Sequence, residues 1–108
     1  MPNGTANTIK QKGVKIELDK ERTLLFDLNT LADMEEEFGD IEAAMDSIAT
    51  GKMKVIRKLL WYALRHEDES LTEKQTGALV TLDIIQDLPD KLYEAMGVSM
   101  PETTGKNV

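Results

Sequence analysis

From residue 13 onward the alternation of apolar and polar positions organises the chain. Val14, Ile16 and Leu18 alternate with Lys15 and Glu17, the period of a half-buried strand. A second apolar stretch, Thr23 to Phe26, follows the polar run Asp19-Lys20-Glu21-Arg22. The two predict a β-hairpin with a four-residue connection, which must pack on other elements because an isolated hairpin is marginal in water. The period then changes to that of a helix. Asn29 suits an N-cap for a helix over 30–38, with Leu31, Met34 and Phe38 as its apolar stripe and Gly39 as its left-handed C-cap. Asp40 opens a second short helix that buries Ile41, Ala44, Met45 and Ile48 and ends at Gly51.

The strongest periodicity spans 52–66. Met53, Ile56, Leu59, Leu60, Ala63 and Leu64 fall on one broad face. Lys54, Lys58, Trp61 and Arg65 fall on the opposite one. So wide an apolar face predicts a central helix covered on more than one side. Thr72 and Gln75 then have capping-box spacing for a fourth helix carrying Leu79, Val80 and Leu82, continuing through Ile84 and Ile85 to Leu88. Gly77 inside it costs about 1 kcal/mol relative to alanine. Pro89 suits the first turn of a last helix, 90–96, ended by Gly97. The expected architecture is mainly α with a small N-terminal hairpin (α+β), four to five helices around the central one. One domain over 13–97 is expected, with a disordered tail over 1–12 and a flexible one over 98–108.

Composition narrows the function classes. The chain has 108 residues and a formal net charge of −7. It has no cysteine, which removes disulfide frameworks, thiolate metal sites and cysteine nucleophiles. No apolar run reaches the ~18 residues of a membrane span, and the N-terminus lacks a signal-peptide core, so no membrane association is expected. Charge is blocked along the chain. Residues 16–50 hold eleven acids against Lys20 and Arg22, whereas 51–66 hold five bases and no acid. Such blocks predict a basic helix held among acidic neighbours. The overall sign opposes nonspecific nucleic-acid binding, and no nucleic-acid partner is expected.

Candidate chemistry is sparse. His66 is the single histidine, and the HEDES run has no second one, so it is not a zinc-binding HExxH helix. Convergence of His66, Glu67, Asp68 and Glu69 on a metal would ask adjacent loop residues to point at one spot, so an acidic surface loop is expected instead. Glu35, Glu36 and Glu37 point in three directions on a helix and cannot pair as acid and base. No serine lies in GxSxG or SxxK, and no glycine-rich phosphate loop exists. No catalytic residue, metal or cofactor is expected. Tyr93 to Ser99 resembles the turn of a helix-turn-helix, but no amphipathic recognition helix follows it, and a glycine-capped final helix is the expected form. The stripe Lys54, Lys58, Trp61 and Arg65 is the candidate partner-binding surface, because tryptophan and arginine dominate interface hot spots. Trp61→Ala is then expected to weaken partner binding and leave the fold intact. The competing expectation has Trp61 packed under the hairpin and the cations paired with acidic helices.

The order of elements carries a further resemblance. A hairpin (VKIEL, then TLLFDL) leads into LNTLADMEEEFG, then KVIRKLLWYALRHEDESLT, EKQTGALVTLD and LYEAMGVSMP. The chain resembles the tail assembly chaperones of long-tailed bacteriophages, prophages and gene-transfer-agent elements over about residues 13–101. The matching positions are Glu36, Phe38 and Gly39; Leu59, Leu60, Trp61, Ala63, Leu64, His66, Asp68, Leu71 and Thr72; and Glu94, Ala95, Met96, Ser99 and Pro101. The resemblance implies a non-enzymatic protein of the bacterial host cytoplasm that binds the helical, aggregation-prone tape measure protein. It would help tail tube subunits assemble around that protein and be absent from the mature virion. It also implies that this chain is the short product of a frameshifting gene, with a slippery site across Gly105-Lys106-Asn107, and that a longer product contacts the tail tube protein. An exposed apolar groove would favour self-association without partner. The alternatives are a structural head-tail adaptor or neck protein, and a small acidic regulator of a host protein.

Overall fold

A computed structural model describes residues 13–99. The tail expected over 1–12, most of that expected over 98–108, and the Gly105-Lys106-Asn107 site lie outside the described residues.

The described residues form a hairpin and six helices. Strands β1 (Val14–Glu17) and β2 (Glu21–Leu24) pair antiparallel, Val14 opposite Leu24 and Glu17 opposite Glu21. Val14, Ile16 and Leu24 turn inward as their alternation predicts. The connection is tighter than expected: only 18–20 lie between the strands, and Glu21 and Arg22 belong to β2. Arg22 consequently occupies an inward position across from Ile16 and is 6% exposed. A buried cation is sustained only when paired. The Asp19 carboxylate meets it in a two-bond fork at 2.8 and 3.0 Å, and Glu67 lies 3.7 Å away.

Helix α1 (Leu28–Phe38) begins two residues before the expected start, because Asp27 rather than Asn29 is the cap. The Asp27 carboxylate accepts the Thr30 N–H at 2.9 Å, which holds the carboxyl below its usual range. This start leaves Leu28 on the outside, 79% exposed, and buries Thr30 beside Met34. Gly39 follows with φ of 99° and returns its N–H to Glu35 O at 2.8 Å, a conformation that disfavours any residue with a Cβ. Asp40 caps α2 (Ile41–Ala49), which buries Ala44 and Ile48.

Helix α3 (Met53–Leu64) is the axis of the core. Its Leu59, Leu60, Ala63 and Leu64 are fully buried, and it packs against β2, α2, α4 and α6. Met53, expected on the buried face, is instead 54% exposed at the helix's first turn. The fourth helix stops early. The capping box of Thr72 and Gln75 opens α4 (Glu73–Ala78), but the chain turns at Leu79 and restarts as the one-turn α5 (Leu82–Ile85). Gly77 and the β-branched pair Val80-Thr81 weaken helix continuation there, and Gly77 lies against Arg57 of α3. Leu82, expected to be buried, is 81% exposed. Helix α6 (Leu88–Ser99) starts two residues before the expected boundary and runs through Gly97, which therefore does not end it. Leu92, Ala95 and Met96 seal the core against β1, α2 and α3, and the Tyr93 hydroxyl donates to Met45 O at 2.9 Å.

Two outcomes follow from this architecture. Gly39→Ala should lose about 1–2 kcal/mol in urea unfolding, whereas Gly97→Ala, in a helix with open space at its Cβ, should gain about 0.5 kcal/mol. Arg22 holds the Asp19 carboxyl down from its usual 3.8 to about 2. A carboxyl lowered in the folded state stabilises above its unfolded value and stops doing so as pH falls through the folded one. The thermal midpoint of the wild type should therefore exceed that of Asp19→Asn at pH 5 and above, and the gap should close as pH is lowered from about 4 to about 2.

Candidate functional site

The stripe predicted on α3 is largely neutralised within the chain. Lys58 Nζ lies 3.2 Å from the Glu37 carboxylate of α1 and 3.9 Å from Glu73 of α4. Arg65 Nη2 donates to Asp33 Oδ2 at 2.9 Å. Its guanidinium also sits 5.4 Å from the Trp61 ring centroid and 4.7 Å from that of Tyr62, so both rings add cation–π attraction. Trp61 and Tyr62 stack at 5.4 Å. The indole N–H of Trp61 donates to Leu71 O at 2.8 Å, so this half-buried residue packs beneath the loop after α3 rather than beneath the hairpin. The Tyr62 hydroxyl donates to Glu37 at 3.3 Å; burial, and then the Glu37 charge, push its pKa up to about 12. The basic helix is thus held by carboxylates from α1 and α4, the arrangement that the charge blocks predicted.

Lys54 differs from the other three. It is exposed and makes no ion pair among the described residues. It lines an open groove of about 310 Å³ together with Met53, Arg57, Gly77, Val80, Ile85 and Leu88. The groove runs between the N-terminal half of α3 and the corner formed by α4, α5 and the start of α6. Its lining is apolar apart from Lys54 and Arg57, and among the described residues no carboxylate lines it. Arg57 also pairs with Glu73 of α4 at 3.2 Å. Sequence periodicity missed this groove for two reasons. It counted Met53 as core, and it read Val80 and Ile85 onto one continuous helix. The position of Met53 in the first turn, where a neighbour can cover only one side, was the available signal.

The acidic loop after α3 is structural. His66 Nε2 lies 2.8 Å from Thr23 O; a carbonyl only accepts, so this nitrogen carries the proton. Glu67 accepts the Thr23 N–H at 2.9 Å, and Asp68 accepts both the N–H and the hydroxyl of Ser70, which lowers its carboxyl. Among the described residues, no group of histidine, cysteine and carboxylate side chains is placed to hold a metal ion. Residues 93–99, similar in sequence to a helix-turn-helix turn, are continuous helix. Among the described residues no helix is long and apolar enough to cross a membrane.

Trp61→Ala should accordingly lose about 2–3 kcal/mol of stability, because it removes packing and orphans the Leu71 carbonyl. Lys58→Ala should lose less than about 1 kcal/mol, since its ion pairs are part-exposed. Urea titrations of the two variants read the contrast directly.

No family model matches the chain, and comparison with curated proteins and with solved structures gives no match either.

Proposed function

We propose that this protein is a tail assembly chaperone of a long-tailed phage or prophage, a non-catalytic protein that binds the tape measure protein during tail assembly in the host cytoplasm. One observation supports this reading above others. The residues that carry the resemblance to that family include the main supports of this fold. Phe38 and Gly39 close α1, with Gly39 at a φ of 99°. Leu59, Leu60, Ala63 and Leu64 form the fully buried face of α3. Trp61 donates to Leu71 O, the residue before the Thr72 capping box. Ala95 and Met96 are fully buried in α6. The order and spacing of these short pieces along the chain, rather than any one of them, carry the resemblance.

The charge distribution agrees with a carrier role. A net charge of −7 favours solubility of a complex that holds apolar segments. The surface nevertheless leaves Leu28, Met53 and Leu82 exposed.

Co-expression of the tagged chain with the tape measure protein of the same tail gene cluster tests the reading. The tape measure protein should become soluble and co-purify with the chain, and finished particles should lack the chain. Retention of the chain in purified particles, without co-purification of the tape measure protein, would identify a neck or adaptor subunit instead.

A further inference from the structure

We propose that the basic-rimmed groove between α3 and the α4–α5–α6 corner receives one amphipathic helix of another protein, whose apolar stripe is flanked by carboxylates. This deepens the reading above and rests on it: the chain binds a protein, and the groove is where.

Shape argues for a helix. The groove lies between helices, and no strand edge lines it. An extended peptide needs free backbone donors and acceptors to add to, whereas a helix presents only side chains to a slot of apolar side chains. Gly77 adds no side chain to one wall, and the aliphatic stem of Arg57 packs against it there. The volume, about 310 Å³, sits at the low end for ligand pockets and suits a few apolar side chains from successive turns. The exposed side chain of Met53 borders it, and Leu82 lies one helical turn from Ile85, so both extend the apolar strip beyond the slot.

Charge argues for carboxylates on the flanks. Lys54 and Arg57 line the groove and Lys52 precedes α3, whereas no acid among the described residues lines it. Neither Lys52 nor Lys54 has an ion-pair partner among the described residues. The N-terminus of α3 has no side-chain cap and no acid in its first turn, so the positive end of the helix dipole adds the same sign. In a chain of net charge −7, this is a local reversal of potential beside an apolar surface. A second copy of the chain is a poor occupant. Away from the groove, the remaining exposed large hydrophobic residue among those described is Leu28, and on α1 the next apolar positions, Leu31 and Met34, are half-buried and buried.

The test is a residue-resolved NMR titration of the full chain with a synthetic helical peptide. The peptide, about four turns long, has leucines at i, i+3, i+4 and i+7 flanked by glutamates; a control replaces the glutamates with lysines. The expected result is saturable binding of the acidic peptide with shifts clustered at Met53, Lys54, Gly77, Val80 and Ile85. Lys54→Glu, an exposed change that leaves the core untouched, should weaken binding about tenfold. Val80→Glu should weaken it through the apolar wall. Shifts elsewhere, such as at Lys15 and Glu17 of β1, equal affinity for the two peptides, or absence of saturable binding would overturn the proposal. So would a concentration-dependent dimer, detected by sedimentation, whose groove is already filled. The tape measure co-purification separates this proposal from the reading beneath it. If Lys54→Glu and Val80→Glu retain the tape measure protein as well as wild type does, the groove assignment falls and the chaperone reading stands.

Discussion

The fold depends on how the outer edge of β2 is closed. A two-stranded sheet leaves two rows of unpaired backbone groups, and a hairpin alone is marginal in water. Here the end of α3 and the loop after it take up one of those rows. Leu25 N–H reaches Ala63 O at 3.1 Å, Thr23 N–H reaches Glu67, and Thr23 O is met by His66. The same seam seats Leu24 and Phe26 in the core and brings Glu67 toward the buried Arg22. Because α3 also packs on α2, α4 and α6, fixing the hairpin to its C-terminal end fixes the hairpin relative to the whole domain. β1 then has a defined place against α6.

The second organising force is electrostatic, and it is modest per contact. Part-exposed ion pairs are each worth about 0–1 kcal/mol, so Lys58, Arg65 and Arg57 do not hold the molecule together energetically. Their effect is to choose an arrangement. Glu37 of α1 and Glu73 of α4 both meet Lys58, and Asp33 of α1 meets Arg65, so the basic helix is matched to carboxylates on two neighbours. Arg22 is the exception in kind. It is buried, so removing Asp19 would leave a charge without its main partner, a larger disturbance than losing a surface pair.

Much of this was legible in the sequence. The alternation of Val14 and Ile16, the Phe38-Gly39 stop, the Asp40 cap, the apolar face of α3 and the Thr72–Gln75 box each rest on interactions within a few residues, which periodicity and capping rules capture. The misreadings have several causes, and only some turn on contacts distant in sequence. Arg22 looks like a turn residue until Asp19 and Glu67, 45 positions later, are seen to pair with it. Asp27 and Asn29 are equally good caps, and burial of Thr30 and Met34 decides between them. Gly97 looks like a stop, yet α6 continues through it. The stripe of Lys54, Lys58, Trp61 and Arg65 is visible as a pattern, but the partners of its last three members lie on α1, in the loop before α4 and at the start of α4.

The groove is a consequence of the one place where local and global preferences part. The sequence pattern predicts one continuous helix from the Thr72 cap to Leu88. Instead the helix is cut at Leu79, leaving six residues in α4 and four in α5. Neither length is stable by itself, so both depend on their neighbours for order. The corner where they meet cannot cover the N-terminal half of α3 as closely as a long helix would. The apolar strip left there is lined by Met53, Val80, Ile85 and Leu88 and bordered by Lys54 and Arg57. An inserted helix would restore to α3 the cover on this side that it already has from α2, β2 and α6 on the others.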